Sequence, residues 1–184
     1  ASEDDVAEGS VGAGTGATVG KIHGMQSAIK AGQGSAALVK DDLIVAALAA
    51  VNAFGDIYNT DGSLLAGPRN PDSGKMEKTI ELLISQNQTG LPGNTTLGVI
   101  ATNAKLDCTE LGKVCRLAHN GFARSIWPVH TMWDGDTIFA LSRGEVKADV
   151  NLVGLMAAEA MARAIRRSVI TATGLAGIPA LADL

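Results

Sequence analysis

An alcohol side chain placed just after a turn-prone Gly-Asn pair and just before an apolar strand can cut its own chain. Pro92-Gly93-Asn94-Thr95-Thr96-Leu97-Gly98-Val99-Ile100 has that order. Thr95 can attack the Asn94 carbonyl, take the acyl group as an ester and, after hydrolysis, emerge as an N-terminal residue. A hydroxyl is a weak nucleophile near neutral pH and needs a base. The amine of an N-terminal threonine supplies one, with a reference pKa of about 7.7–8.0. Before the cut no such amine exists, so neighbouring side chains must activate the hydroxyl. Gly93 brings the backbone freedom that a strained scissile bond needs. The same tripeptide also suits an ordinary turn into a strand. Asn94-Thr95-Thr96 and Asn87-Gln88-Thr89 both fit the N-glycosylation pattern.

Four other positions have types that could serve such a nucleophile. In Trp133-Asp134-Gly135-Asp136-Thr137, residues i and i+2 of an extended segment point to one side, so Asp134 and Asp136 could orient an ammonium or hold a hydroxyl. A solvated turn would look the same, and an EF-hand is disfavoured because its remaining ligand positions are missing. Asn52 ends an apolar run, where an amide either caps a strand or donates to an oxyanion. Lys21 follows a glycine-rich stretch and is either a surface charge or a group that tunes a neighbouring hydroxyl. His23, His119 and His130 lack triad or metal spacing, but His130 adjoins the Asp pair and is expected to line its pocket together with Trp133. Trp127 and Trp133 otherwise suit a core.

Composition narrows the classes. The chain has 184 residues, 46% apolar and 18% charged, enough for one domain with a sizeable core. The net charge of −4, with no basic run, argues against a nucleic-acid partner. No apolar stretch is long enough for a membrane span. Ala1-Ser2-Glu3-Asp4-Asp5 is acidic and lacks the order of a signal peptide, which argues against glycosylation, while two unpaired thiols fit a reducing, cytoplasmic setting. Cys108 and Cys115, seven residues apart on one helix, are too distant for a disulfide and too few for a zinc site. Gly12-Ala13-Gly14-Thr15-Gly16-Ala17 matches a dinucleotide fingerprint, but acidic residues stand where its strand should be. Gly20-Lys21-Ile22 is no P-loop. No cofactor and no metal is expected.

The elements that must position these groups follow from periodicity. Residues 9–36 are glycine-rich, a backbone that must turn or approach something closely rather than form a regular helix; 43–51 reads as a buried strand, although its alanine content also allows a helix; and 59–73 is a surface loop. Lys75–Asn87 reads as a short helix with Met76, Ile80, Leu83 and Ile84 on one face. Thr96–Thr102 and Thr137–Leu141 read as strands. Asp107–Ser125 reads as a helix stopped by Pro128, and Asp149–Thr173 as the longest helix, with Gly174 as its C-cap. Alternating strands and helices indicate one α/β domain over 1–184.

Four segments in this order resemble the self-processing L-aminopeptidase/D-amidase/D-esterase family, which includes β-peptidyl aminopeptidases and nylon-oligomer hydrolases. They are Gly9–Lys21, Ala49–Gly55, Gly93–Ala104 and Pro128–Ala140. The resemblance implies a four-layer α/β/β/α sandwich like that of N-terminal-nucleophile hydrolases. It implies cleavage between Asn94 and Thr95, so that 1–94 is the end of one subunit and 95–184 a second that begins with the nucleophile. Asp136 would orient Thr95, Asp134 would support Asp136, Asn52 would donate to the oxyanion, and Lys21 matches the lysine that ends the glycine-rich segment. Substrates would be small peptides or amides, and the enzyme a homo-oligomer. Family members carry a substantial portion ahead of the glycine-rich segment, so an N-terminal portion of the same enzyme is an expected partner. A catalytically silent binding module and an acyltransferase on the same fold are the alternatives.

Overall fold

The computed structural model describes residues 5–86 and 93–184. Pro92, Asn87 and the Asn87-Gln88-Thr89 sequon lie outside them. Nine strands and three α-helices run in the order β1 (Thr18–Val19), β2 (Ile29–Lys30), β3 (Gln33–Lys40), β4 (Leu43–Asn52), β5 (Asp56–Tyr58), β6 (Leu64–Ala66), α1 (Thr79–Gln86), β7 (Thr95–Ala104), α2 (Cys108–Ala123), β8 (Ile126–Trp127), β9 (Thr137–Val146) and α3 (Val150–Ile170) among the described residues.

The main sheet has the order β3-β4-β7-β9. β3, β4 and β7 pair antiparallel, whereas β7 and β9 are parallel. The small β1-β2 and β6-β5-β8 sheets flank it. Alternation decides which face is buried: Val45, Ala47, Ala49 and Val51 of β4 point one way and are covered. α3 covers that face over β3 and β4, and α2 packs on α3 and β9. Alanines at 157, 160 and 164 keep α3 slim on its buried side, which lets it lie close to the sheet. Both helices start on an aspartate cap. Asp107 forms a capping box with Glu110, and Asp149 accepts from the backbone of Asn151 and Leu152. Cys108 and Cys115 are free thiols on α2.

The sheet's other face carries Ile44, Leu97, Phe139 and Leu141, all exposed. The described residues thus supply one helix layer and one sheet layer of the implied sandwich.

Several expectations need correcting. β6 lies inside the expected 59–73 loop and pairs with β5, while the glycine-rich stretch, expected not to be a regular helix, holds the short strands β1 and β2. α1 begins at Thr79, and its buried positions are Thr79 and Leu82 while Ile84 is 79% exposed. The phase is set by Asp56, which accepts from the Thr79 N–H and hydroxyl and so turns Thr79 and Leu82 inward. Met76 precedes the helix, in a bridge with Arg69. α2 ends at Ala123, before Pro128, and Ile126–Trp127 goes on to pair with β5. α3 ends on Thr171, whose hydroxyl and N–H both return to the Arg167 carbonyl, so Gly174 is not its cap. Trp127 is half exposed rather than core. Among the described residues, no helix is long and apolar enough to cross a membrane.

Candidate active site

Strand direction assembles the site. β7 runs antiparallel to β4 and parallel to β9, so the C-terminal end of β4 meets the N-terminal ends of β7 and β9. Asn52 pairs with Thr95 across one ladder, Leu97 with Thr137 across the other, and an Asn94–Asp134 bridge extends the second ladder upstream.

The two threonines face opposite ways, as strand alternation requires. Thr96 is fully buried on the helix side, and its hydroxyl has no hydrogen-bond partner among the described residues. Thr95 faces the open side. It lines a pocket of about 250 Å³ together with Ala13, Gly16, Ala50, Leu97 and Asn52. Its hydroxyl donates to the Asn94 carbonyl oxygen at 2.7 Å. That same oxygen accepts the Gly135 N–H at 2.8 Å. Just upstream, Gly93 has a φ of 97°, a conformation open to glycine at little cost.

Lys21 is buried and its ammonium is held by oxygens. Nζ donates to Asn52 Oδ1 at 2.6 Å, to Asn94 Oδ1 at 3.0 Å and to the Asn52 carbonyl at 3.2 Å. Burial pulls its pKa down to about 8, against the Asp134 charge, which pulls it up. Asn52 Oδ1 also takes the Thr18 N–H, and its amide donates to the Gly93 carbonyl at 3.4 Å.

The carboxylates are tied to backbone. Asp134 Oδ1 accepts from the Phe54 N–H, and Oδ2 accepts from the Thr131 N–H and hydroxyl. Asp136 Oδ1 accepts from the Thr96 N–H at 2.8 Å, and Oδ2 meets His130 Nδ1 at 2.7 Å. His130 Nε2 in turn meets His119 Nδ1 at 3.2 Å. Burial foremost, then the charge of His130, lowers the pKa of His119, while Asp136 raises it.

The fold therefore gathers Lys21, Asn52, Asn94, Thr95, Asp134 and Asp136 at one sheet edge. Asp136 reaches the backbone of Thr96 rather than the hydroxyl of Thr95. His130 and Trp133 stand behind the Asp pair, outside the wall of the Thr95 pocket. Trp133 packs on Phe54 with ring centroids 5.0 Å apart, and its carbonyl accepts from the Asn94 side chain. Gly135 was not foreseen as a donor. The signal for it was the Asp-Gly-Asp pattern itself, in which a residue without a side chain is flanked by two anchors.

Comparison with known proteins agrees with this architecture. Solved structures of similar shape include an L-aminopeptidase D-Ala-esterase/amidase from Ochrobactrum anthropi, described as a variant of the Ntn hydrolase fold (TM-score 0.66, 20% identity, covering 97% of this chain and 48% of that one). A Burkholderia β-aminopeptidase matches at TM-score 0.62 and 21% identity, over 95% of this chain and 50% of that one. The class is thus a mixed α/β protein of the Ntn-hydrolase fold. Residues 1–181 match peptidase family S58, and the chain belongs to that family. An uncharacterized aminopeptidase of Mycobacterium tuberculosis is 35% identical over 204 residues, covering 98% of this chain and 57% of the relative. A 6-aminohexanoate-oligomer endohydrolase of Kocuria sp. is 30% identical over 175 residues, covering 84% and 48%. The chain spans about half the length of the relatives it matches.

Proposed function

We propose that this chain carries the nucleophile of a self-cleaving amide hydrolase, with Thr95 as the attacking residue and Asn94–Thr95 as the first bond cut. One observation carries the reading: the Thr95 hydroxyl lies 2.7 Å from the oxygen of the carbonyl it would attack. Lys21, whose Nζ bridges the Asn52 and Asn94 side chains on either side of Thr95, is the base this reading assigns to the first cut, and burial draws its pKa down to about 8. After the cut, the new Thr95 amine takes over as base for substrate. Asn52, beside Thr95 in the pocket, is suited to donate to a substrate oxyanion. Asp134 and Asp136 hold the segment in register.

Substrates in this reading are small peptides or amides. The relatives named aminopeptidase and 6-aminohexanoate-oligomer endohydrolase support that class. The relatives' greater length and the uncovered apolar sheet face support a further portion of the same enzyme as partner.

Intact-mass spectrometry tests the first step. The chain is expected to yield fragments 1–94 and 95–184, and Thr95→Ala is expected to stay whole. A Thr95→Ala chain that still splits after Asn94 would remove Thr95 from the role. A folded chain that stays uncut and turns over no aminoacyl amide, even with a complementing N-terminal piece, would favour a silent binding module. Transfer to an added amine in place of hydrolysis would favour an acyltransferase.

A further inference from the structure

We propose that the backbone N–H of Gly135 is the oxyanion donor for the cut at Asn94–Thr95, and that Asp134 and Asp136 are positioning residues that aim it. The inference rests on the self-cleavage reading above and assigns the group that stabilises its charged intermediate.

Two donors among the described residues meet the Asn94 oxygen, the Thr95 hydroxyl at 2.7 Å and the Gly135 N–H at 2.8 Å. The reaction removes the first. As Oγ1 bonds to the Asn94 carbonyl carbon, its proton passes to the base, and the C=O electron pair moves onto oxygen. Of the two donors only Gly135 N–H remains, at the moment the oxygen carries its full charge. The C–N bond then breaks, the proton goes to the Thr95 nitrogen, and an Asn94–Thr95 ester is left for water to hydrolyse. A fixed backbone donor suits this task because it need not reorganise during the reaction. Asn52 does not compete for it, since its amide reaches the Gly93 carbonyl, one residue upstream.

The flanking side chains explain why the donor is fixed. Asp134 is held by Phe54 and Thr131, and Asp136 by the Thr96 N–H and His130. The two anchors lie on either side of the Gly135 N–H that meets the Asn94 carbonyl. Glycine is required between them for a steric reason. A Cβ at position 135 would stand 2.8 Å from Thr95 Oγ1 and 3.8 Å from the Asn94 oxygen. Any side chain there would push the nucleophile aside.

An ordinary ladder hydrogen bond between neighbouring segments would have the same length, so the test must separate rate from stability. Gly135 is replaced by glycolic acid in cell-free synthesis, which exchanges the N–H for an ester oxygen and adds no atom near Thr95. Splitting is followed by intact mass and folding by thermal melting. The expected result is a folded chain that splits about 100-fold more slowly, the low end for loss of one oxyanion donor because Gly135 is solvent-exposed. A folded glycolate chain that splits within about threefold of the unaltered one overturns the proposal. In a second measurement, the uncut Thr95→Ala chain should show a through-hydrogen-bond NMR coupling between the Gly135 nitrogen and the Asn94 carbonyl carbon; its absence would also overturn it. An unaltered chain that never splits fails at the earlier step, the self-cleavage reading, and takes this inference with it. Gly135→Ala keeps the N–H but displaces Thr95, and is expected to slow splitting as well.

Discussion

Lys21 and Lys30 are both buried, at 6% and 2% exposure, and burial lowers the pKa of each. Their surroundings differ. Lys30 donates to the carbonyls of Thr15 and Ala17, both at 2.8 Å, and so staples the glycine-rich loop that walls the Thr95 pocket. Lys21 spans three oxygens of Asn52 and Asn94, the residues beside and within the bond proposed to be cut, and feels the charge of Asp134. Burial alone therefore does not make a lysine chemical. Lys30 holds backbone that has no reaction to perform. Lys21 holds the Asn52 and Asn94 side chains on either side of Thr95, the nucleophile of the proposed reading, and burial draws its pKa down to about 8.

The sharpest way to break this comparison is Lys21→Met. Loss of the base should slow splitting at Asn94 by roughly 10²–10⁴-fold, while Lys30→Met should change it by less than about tenfold; intact-mass time courses decide. In the unaltered chain the splitting rate should climb about tenfold per pH unit while Lys21 is mostly protonated and level off above its pKa of about 8. Lys30→Met should keep that profile, and a flat profile would remove Lys21 as the base.

Lys30→Met should instead show in stability. It strands two loop carbonyls, at about 1–3 kcal/mol for each one left without a partner, measurable by denaturant unfolding. The smallest expected effect is the most specific. Asp134 raises the pKa of Lys21, so Asp134→Asn should lower it and move the midpoint of the pH profile below that of the unaltered chain. No such charge acts on Lys30, for which burial is the cause of the shift. A midpoint that rises, or stays in place, would separate Asp134 from Lys21.

Much of the fold was legible because long amphipathic elements declare themselves. Asp107 and Asp149 marked the helix starts, the apolar run of β4 marked a buried element that its alanines left open between strand and helix, and 96–102 read as a strand. Short elements were not legible. β6 and β8 have three and two residues, and they are strands only because β5 lies beside them. The period of α1 was right but its phase was not, because Asp56, 23 residues away in sequence, decides which side of the helix turns inward. In the site, the residue types could be read from the chain, while their partners could not. Asp136 was expected on Thr95 and lies on the Thr96 N–H, 40 residues away. Lys30, in the glycine-rich stretch, carried no sign of its burial.

By itself the sequence determined which hydroxyl follows Asn94 and that a strand follows directly behind it. Covalent order and an apolar run are enough for that. Only the tertiary structure decided that Thr96 faces the helices and Thr95 the pocket, that Lys21 reaches Asn94 across 73 residues, and that the Gly135 N–H points at the Asn94 carbonyl. Those contacts depend on the register of β4, β7 and β9, and register is set by packing the whole sheet against α2 and α3.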